Sequence, residues 1–265
     1  MNEQTTKPPP PPEPPGRDLL TGRRVVITAA AGSGIGGSLA RRCMLEGATL
    51  MISDAHERRL GETADALEAE FGTRPATAVC NVTDEESVRA LVTAAVESMG
   101  GYDTWFNNAG LGGNGLITEL ADDEWHRVLD VTLTGTFRCL RAALPHLYEQ
   151  GNGAVVNNAS VLAWRAQDRQ AHYAAAKAGV MALTRTAAME AAEHGVRVNA
   201  VSPSLAMHPN LEKVTPPGLL AELEAGEAFG RAATPWEVAN VMVFLASDLS
   251  SYMTGEVVAV SSQHP

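Results

Sequence analysis

The residues with the most chemical reach are Tyr173 and Lys177, in the string HYAAAKAG. Four apart on a helix, their side chains share one face, roughly 6 Å apart at Cβ. A free phenol ionises at about pH 10 and is a poor proton carrier at neutral pH. A neighbouring ammonium favours the phenolate and draws that pKa toward the working range. Ser160, 13 residues earlier, ends an apolar run and offers a hydroxyl to the same substrate oxygen. The set suits proton transfer at a carbonyl or an alcohol. Tyrosine and lysine at this spacing also occur on ordinary helix faces, so the surrounding elements decide. His172 is a weaker second base, because adjacent helix residues point roughly 100° apart. It reads as a pocket wall or an interface residue.

A second cluster follows the run RVVIT (24–28), which leads into AAAGSGIGGSLARR. Gly32, Gly34 and Gly37 spell G-x-G-x-x-G. Small residues there let the backbone approach a pyrophosphate, and a helix N-terminus presents free N–H groups to it. Asp54 closes the next apolar run, 20 residues after Gly34. A carboxylate at that place accepts hydrogen bonds from the adenosine ribose and repels a 2′-phosphate. NAD is therefore expected over NADP. Arg58 and Arg59, one turn farther on, are the alternative partners of such a phosphate, or simply an exposed helix face.

These clusters need a scaffold that brings them together. Apolar runs at 24–28, 49–53, 75–80, 104–108, 154–160, 196–202 and 256–260 alternate with helical stretches near 35–46, 57–71, 84–99, 122–149, 170–194 and 235–247. That alternation predicts an α/β fold: one doubly wound Rossmann domain over 18–265. Its seven-stranded parallel sheet, in order 3-2-1-4-5-6-7, has helices on both faces and ligands at the strand C-terminal ends. Residues 1–17 hold seven prolines and read as a disordered tail. With 45% apolar and 19% charged residues among 265, a large core is available. The net charge of −11 argues against nucleic-acid or anionic-membrane partners. No run reaches the roughly 18 apolar residues of a membrane span, and no signal-peptide core is present, so a cytoplasmic enzyme is expected. Cys43, Cys80 and Cys139 stand far apart and read as reduced core thiols, with no metal site.

In combination these pieces resemble the short-chain dehydrogenase/reductase family over nearly all of 19–265. The matching strings are Gly32-Ser33-Gly34-Ile35-Gly36, Asn107-Asn108-Ala109-Gly110, the Ser160–Tyr173–Lys177 set and Ser202-Pro203-Ser204. The resemblance implies that Tyr173 is the general acid/base, that Ser160 orients the substrate oxygen and that Lys177 also holds the nicotinamide ribose. It further implies that Asn108 supports the cofactor and that Asn81 and Val82, after Cys80, carry its adenine side. A homotetramer is implied as well, with the helices at 122–149 and 170–194 and the last strand offering interfaces. The chain departs from the family in four places. The glycine loop is one residue longer and lacks its first glycine, and Asn81 stands where an aspartate meets the adenine amino group. Thr132 replaces an asparagine of the proton relay, and Pro-Ser and Ser-Ser-Gln-His-Pro replace the usual Pro-Gly and terminal Asp-Gly-Gly. The Thr132 hydroxyl can hold a relay water or bond back to the carbonyl four residues earlier.

Within the family, ITAAAGSGIG, SDAHERRLGET, NNASVLAWRAQ, GEAFGRAATPWEVA and SSQHP look like an actinobacterial subgroup of sterol catabolism. Its members interconvert a hydroxyl and a ketone on the bicyclic C/D-ring remnant, carried as a propanoate or its CoA thioester. The resemblance places a substrate lid at 204–232, with Pro209, Pro216 and Pro217 in it. Trp164, Arg165, His172, Leu205 and Met207 are the expected lining, and Arg165 and Arg169 could offset the negative charge for a CoA substrate. The alternatives are a 3-oxoacyl thioester reductase with the same site and a dinucleotide-sensing protein without catalysis.

Overall fold

The apolar runs pair side by side in one direction. The computed structural model describes residues 9–208, 211 and 217–262. Its strands are β1 (Arg24–Ile27), β2 (Thr49–Asp54), β3 (Ala76–Val79), β4 (Thr104–Asn107), β5 (Gly153–Asn158), β6 (Val196–Pro203) and β7 (Val257–Val260). They form one sheet in the order β3-β2-β1-β4-β5-β6-β7, and every pairing is parallel. The helices are α1 (Ile35–Leu45), α2 (Glu57–Phe71), α3 (Glu85–Met99), α4 (Asp122–Leu129), α5 (Gly135–Gln150), α6 (Ala171–Ala191), α7 (Pro217–Gly226) and α8 (Pro235–Ala246).

Alternation along each strand sends neighbours to opposite layers. Ile27, Phe106, Val156 and Val201 meet α1 and α8 on one face, through Leu39, Cys43 and Met242. Val26, Trp105, Val155 and Val198 meet α3, α5 and α6 on the other, through Leu91, Leu147 and Ala187. The three cysteines are buried free thiols. Among the described residues no helix is long and apolar enough to cross a membrane.

The structure corrects two expectations. The helix expected over 122–149 is broken by a π-helical turn at Asp130–Thr134, where the Gly135 N–H reaches back to the Asp130 carbonyl. Apolar periodicity runs through the break and hides it. The proline tail does not run free over its last five residues. Glu13 pairs with Arg41 at 2.6 Å, Arg42 donates to the Pro14 carbonyl at 2.5 Å, and Glu46 accepts from the Arg17 and Leu19 N–H groups at 2.8 and 3.1 Å. Prolines lack N–H donors but keep carbonyl acceptors, and Arg42 near the end of α1 uses those of Pro14 and Pro15. Residues 9–12 are exposed.

The excursion expected at 204–232 has a closed base. Ala206 bridges Ala233, with the Met207 N–H on the Ala233 carbonyl at 2.9 Å and the Ala233 N–H on the Leu205 carbonyl at 2.8 Å. Helix α7 lies within it, whereas Pro209 and Pro216, like Gln263–Pro265 at the terminus, are outside the described residues.

Candidate active site

Strand β5 and helix α6 bring the three expected side chains together. Ser160 leaves β5 in extended conformation, is buried and accepts the Leu162 N–H at 3.2 Å. Its hydroxyl lies close enough to the Tyr173 phenol to lower the phenol's pKa. Lys177, one turn along α6, is 3% exposed and lies 5.6 Å from the Tyr173 ring centroid. It donates to the Asn158 carbonyl at 2.5 Å. Burial lowers the Lys177 pKa to about 8. Burial also raises the phenol's pKa, against a smaller lowering by Ser160. Desolvation therefore dominates at Tyr173, and the Lys177 ammonium is directed at a main-chain oxygen.

A buried polar ladder fixes α6 to the sheet. Trp105 Nε1 donates to Asn107, Asn107 to Asn157 and Asn157 to the Thr184 hydroxyl, at 2.8, 2.8 and 2.9 Å. Thr184 lies seven residues after Lys177, on the same helix face. Neither Asn157 nor Thr184 stands out in the sequence as part of this support. The available signal was, for Asn157 alone, a polar residue inside an otherwise apolar strand run.

The glycine loop closes on the same crevice. Ala29 takes the left-handed φ of 50° where the family has its first glycine, and Gly32 has φ 93°. The Ala31 N–H reaches Asp54 at 3.2 Å, the Gly32 N–H reaches the Thr63 hydroxyl at 3.0 Å, and α1 begins at Ile35 after Gly34. A Cβ on Gly36 would come within 2.2 Å of the Ala29 carbonyl, so that position must stay bare for packing. A Cβ on Gly32 would meet nothing, and one on Gly34 only His208 at 3.9 Å. Bare backbone with open space at a helix N-terminus fits a pyrophosphate. Across the crevice, the Asn108 and Ala109 N–H groups share the Thr28 hydroxyl, and a Cβ on Gly110 would crowd Lys177 Nζ at 3.3 Å. Pro203 ends β6 beside them and is buried.

Asp54 is 7% exposed at the end of β2 and also accepts the His56 N–H at 3.0 Å. Burial raises its pKa, opposed by the Ala31 N–H and the Arg59 guanidinium. Arg58 points away and pairs with Glu62 at 2.7 Å, the exposed helix face foreseen for it. Asn81 turns its side chain toward Thr83. Its amide oxygen already accepts from the Thr83 N–H and hydroxyl, at 3.1 and 2.9 Å, which competes with an adenine amino group. Val82 is buried against Gly135.

Thr132 is fully buried in the π-turn, and its hydroxyl does not bond back to the carbonyl four residues earlier. It accepts the Leu111 N–H at 2.9 Å and donates to the Leu111 carbonyl at 3.1 Å, anchoring the loop after β4. Thr132→Val removes both bonds and is expected to destabilise the fold by about 1–3 kcal/mol and to slow turnover through loop displacement. Thr132→Asn, whose amide both donates and accepts, should keep most activity. Denaturant melts and kcat of both variants check this.

Of the expected lining, Trp164 is exposed, while Arg165, Leu205 and Met207 are half-buried. His172 does not line an open pocket. It is fully buried beneath the β4–α4 loop, with Nε2 3.5 Å from Glu124. Gln170 holds that loop through the Gly113 carbonyl at 2.8 Å, and the Arg169 carbonyl holds it through the Gly115 N–H at 3.0 Å.

Fold, glycine cradle and Ser160–Tyr173–Lys177 geometry converge on one class, and the chain belongs to the short-chain dehydrogenase/reductase family of nicotinamide-dinucleotide oxidoreductases. Residues 29–262 match the family model described as "Enoyl-(Acyl carrier protein) reductase". A relative in Mycobacterium tuberculosis, "(5R,7aS)-5-hydroxy-7a-methyl-1-oxo-2,3,5,6,7,7a-hexahydro-1H-indene-carboxyl-CoA reductase", is 60% identical over 248 residues, 93% of this chain and 95% of that protein. The cis-4-hydroxycyclohexanecarboxylate dehydrogenase of Sinomonas cyclohexanicum is 40% identical, covering 89% of this chain and 94% of its own length. The crystal structure of a short chain dehydrogenase from Mycobacterium smegmatis superposes with a TM-score of 0.85 at 56% identity, over 96% of this chain and 98% of that one. The protein is an enzyme that interconverts alcohol and ketone groups.

Proposed function

We propose that this enzyme interconverts a secondary alcohol and a ketone on a bicyclic hydroindane acid carried as its CoA thioester, with NAD(H) as cofactor. The observation that carries the chemistry is the Tyr173 ring 5.6 Å from the ammonium of a buried Lys177, with the buried Ser160 hydroxyl near the phenol. The 60% identical mycobacterial reductase supports the substrate. Gly32–Gly36 and Asn108–Gly110 would hold the dinucleotide, with Asp54 at the adenosine ribose and Lys177 and Pro203 at the nicotinamide end. The bound nicotinamide supplies or takes up the hydride at the substrate carbon. Ser160 orients the carbonyl oxygen, Tyr173 gives it a proton in reduction and takes one in oxidation, and Lys177 supports the phenol electrostatically. Thr132 serves this machinery as an anchor of the β4–α4 loop. The segment 204–232 acts as the lid, and Arg165 and Arg169 meet the CoA phosphates.

Turnover of hydroindane ketones as CoA thioesters, compared with linear 3-oxoacyl thioesters and with the free acids, tests the reading. Preference for linear thioesters would replace it with the fatty-acid-type reductase, and cofactor binding without turnover would leave a dinucleotide sensor. For the cofactor, Asp54 facing a 2′-phosphate costs several kcal/mol, so NADH should bind roughly a hundredfold tighter than NADPH. Fluorescence titration of both measures it, and equal or tighter NADPH binding would shift attention to Arg59. A cytoplasmic homotetramer is the proposed state. Light scattering should give four times the 27.9 kDa of the chain, against a single multiple for a monomer.

A further inference from the structure

A chain of side-chain amides crosses the crevice, and its polarity is forced from one end. The Ala29 carbonyl, in the glycine loop, can only accept, so Asn108 turns its Nδ2 to it at 2.9 Å. Asn108 therefore presents Oδ1 to its other neighbour, and Asn158 answers with its own Nδ2 at 2.9 Å. The last free group is thus Asn158 Oδ1, an acceptor fixed in direction by the network. That atom is buried and has no hydrogen-bond partner among the described residues. Buried amide oxygens in native proteins are almost always satisfied, so this one calls for a donor.

The position of Asn158 narrows the donor. It ends β5 two residues before Ser160, and its main-chain carbonyl takes the Lys177 ammonium. It therefore sits at the reacting end of the crevice. Asp54, at the adenosine end, closes β2 three strands away, roughly 14 Å at ordinary strand spacing. A pyrophosphate on the glycine loop carries no donor and would repel an amide oxygen. The remaining donors of a dinucleotide are the hydroxyls of its second ribose and the carboxamide N–H of its nicotinamide. We infer that Asn158 Oδ1 accepts a hydrogen bond from this nicotinamide-riboside half. Asn158 is then a cofactor-binding residue, linked through Asn108 to the strained Ala29 of the glycine loop. The inference rests on the dinucleotide reading of the site.

Binding of three probes to the wild type and to Asn158→Leu tests it: NADH, ADP-ribose and ADP. NADH affinity is expected to fall about tenfold in the variant, the worth of one hydrogen bond, with ADP affinity unchanged. ADP-ribose, which keeps the second ribose and lacks nicotinamide, separates the two donors. A matching loss identifies the ribose hydroxyl, and an unchanged affinity identifies the carboxamide. Equal losses for NADH and ADP would mean that the variant merely disturbs the glycine loop, and no loss for NADH would mean that Asn158 does not meet the cofactor; either overturns the inference. Should Asn158→Leu not fold, Asn158→Thr is measured in the same way. A wild type that binds neither NADH nor ADP would refute the dinucleotide site itself, a failure distinguishable from that of Asn158.

Discussion

Tyr173→Phe is expected to slow ketone reduction by about 10²–10⁴-fold while leaving NADH affinity unchanged, because it deletes the proton and little else. Ser160 cannot take over readily, since an aliphatic hydroxyl is a far weaker acid than a phenol. The pH dependence follows from burial. Desolvation keeps the phenol protonated across the neutral range, which suits donation to a developing alkoxide. Lys177, with its pKa lowered to about 8, is an ammonium below that pH and neutral above it. Reduction should therefore hold steady through neutrality and fall above about pH 8, while oxidation, which needs the phenolate, gains as pH rises. Single-turnover rates with a ring ketone between pH 6 and 9 check both limbs. A Tyr173→Phe enzyme within tenfold of wild type would remove Tyr173 from the proton path.

The largest stability effect is expected at Arg42→Met. Arg42 and Glu46 form a buried pair one turn apart at the end of α1, and Glu46 is fully buried. Removing the guanidinium leaves that carboxylate with only the Arg17 and Leu19 N–H groups. Breaking one side of a buried pair costs about 3–5 kcal/mol, a drop in melting temperature on the order of 10 °C. The Arg41–Glu70 pair nearby is surface-exposed and should matter little when broken. Burial alone would raise the Glu46 pKa, but the two N–H groups and Arg42 together lower it. A lowered carboxylate stabilises the fold fully above its unfolded value, about 4.3, and loses that contribution as pH falls through the folded value. Arg42→Met should therefore begin acid unfolding at a higher pH than wild type. Arg42→Met combined with Glu46→Met should recover part of the loss, because the stranded charge is gone. Thermal melts from pH 3 to 8 measure all three, and a single variant melting like wild type would show that the pair carries no stability.

The sheet order and both chemical clusters were legible because they depend on local pattern. Apolar runs of four to eight residues between Ala-rich helical stretches admit few topologies once crossovers are right-handed. Tyr173 and Lys177 share a face through helix geometry alone, and Asp54 ends its strand wherever that strand pairs. The break at Asp130–Thr134 was not legible, because apolar periodicity runs through it and the partner of Thr132 within it, the Leu111 main chain, lies 21 residues away in the chain. Burial of His172 beneath the β4–α4 loop was likewise hidden. Helix geometry says which way a side chain points but not what covers it.

The amino-acid sequence by itself determined the class of chemistry: a phenol, an ammonium and a serine hydroxyl at the strand ends, facing a glycine turn and a carboxylate. Only the tertiary structure decided how those groups are tuned. The pKa directions of Tyr173 and Lys177 come from desolvation by elements far apart in the chain. The docking of Glu13–Arg17 comes from two arginines on α1, Arg42 taking up the Pro14 and Pro15 carbonyls of a donor-poor segment and Arg41 the Glu13 carboxylate. The orphan oxygen of Asn158 exists because Ala29, 129 residues earlier, offers only an acceptor to Asn108. Hydrogen-bond polarity and burial are properties of neighbours in space, and spacing along a chain carries neither.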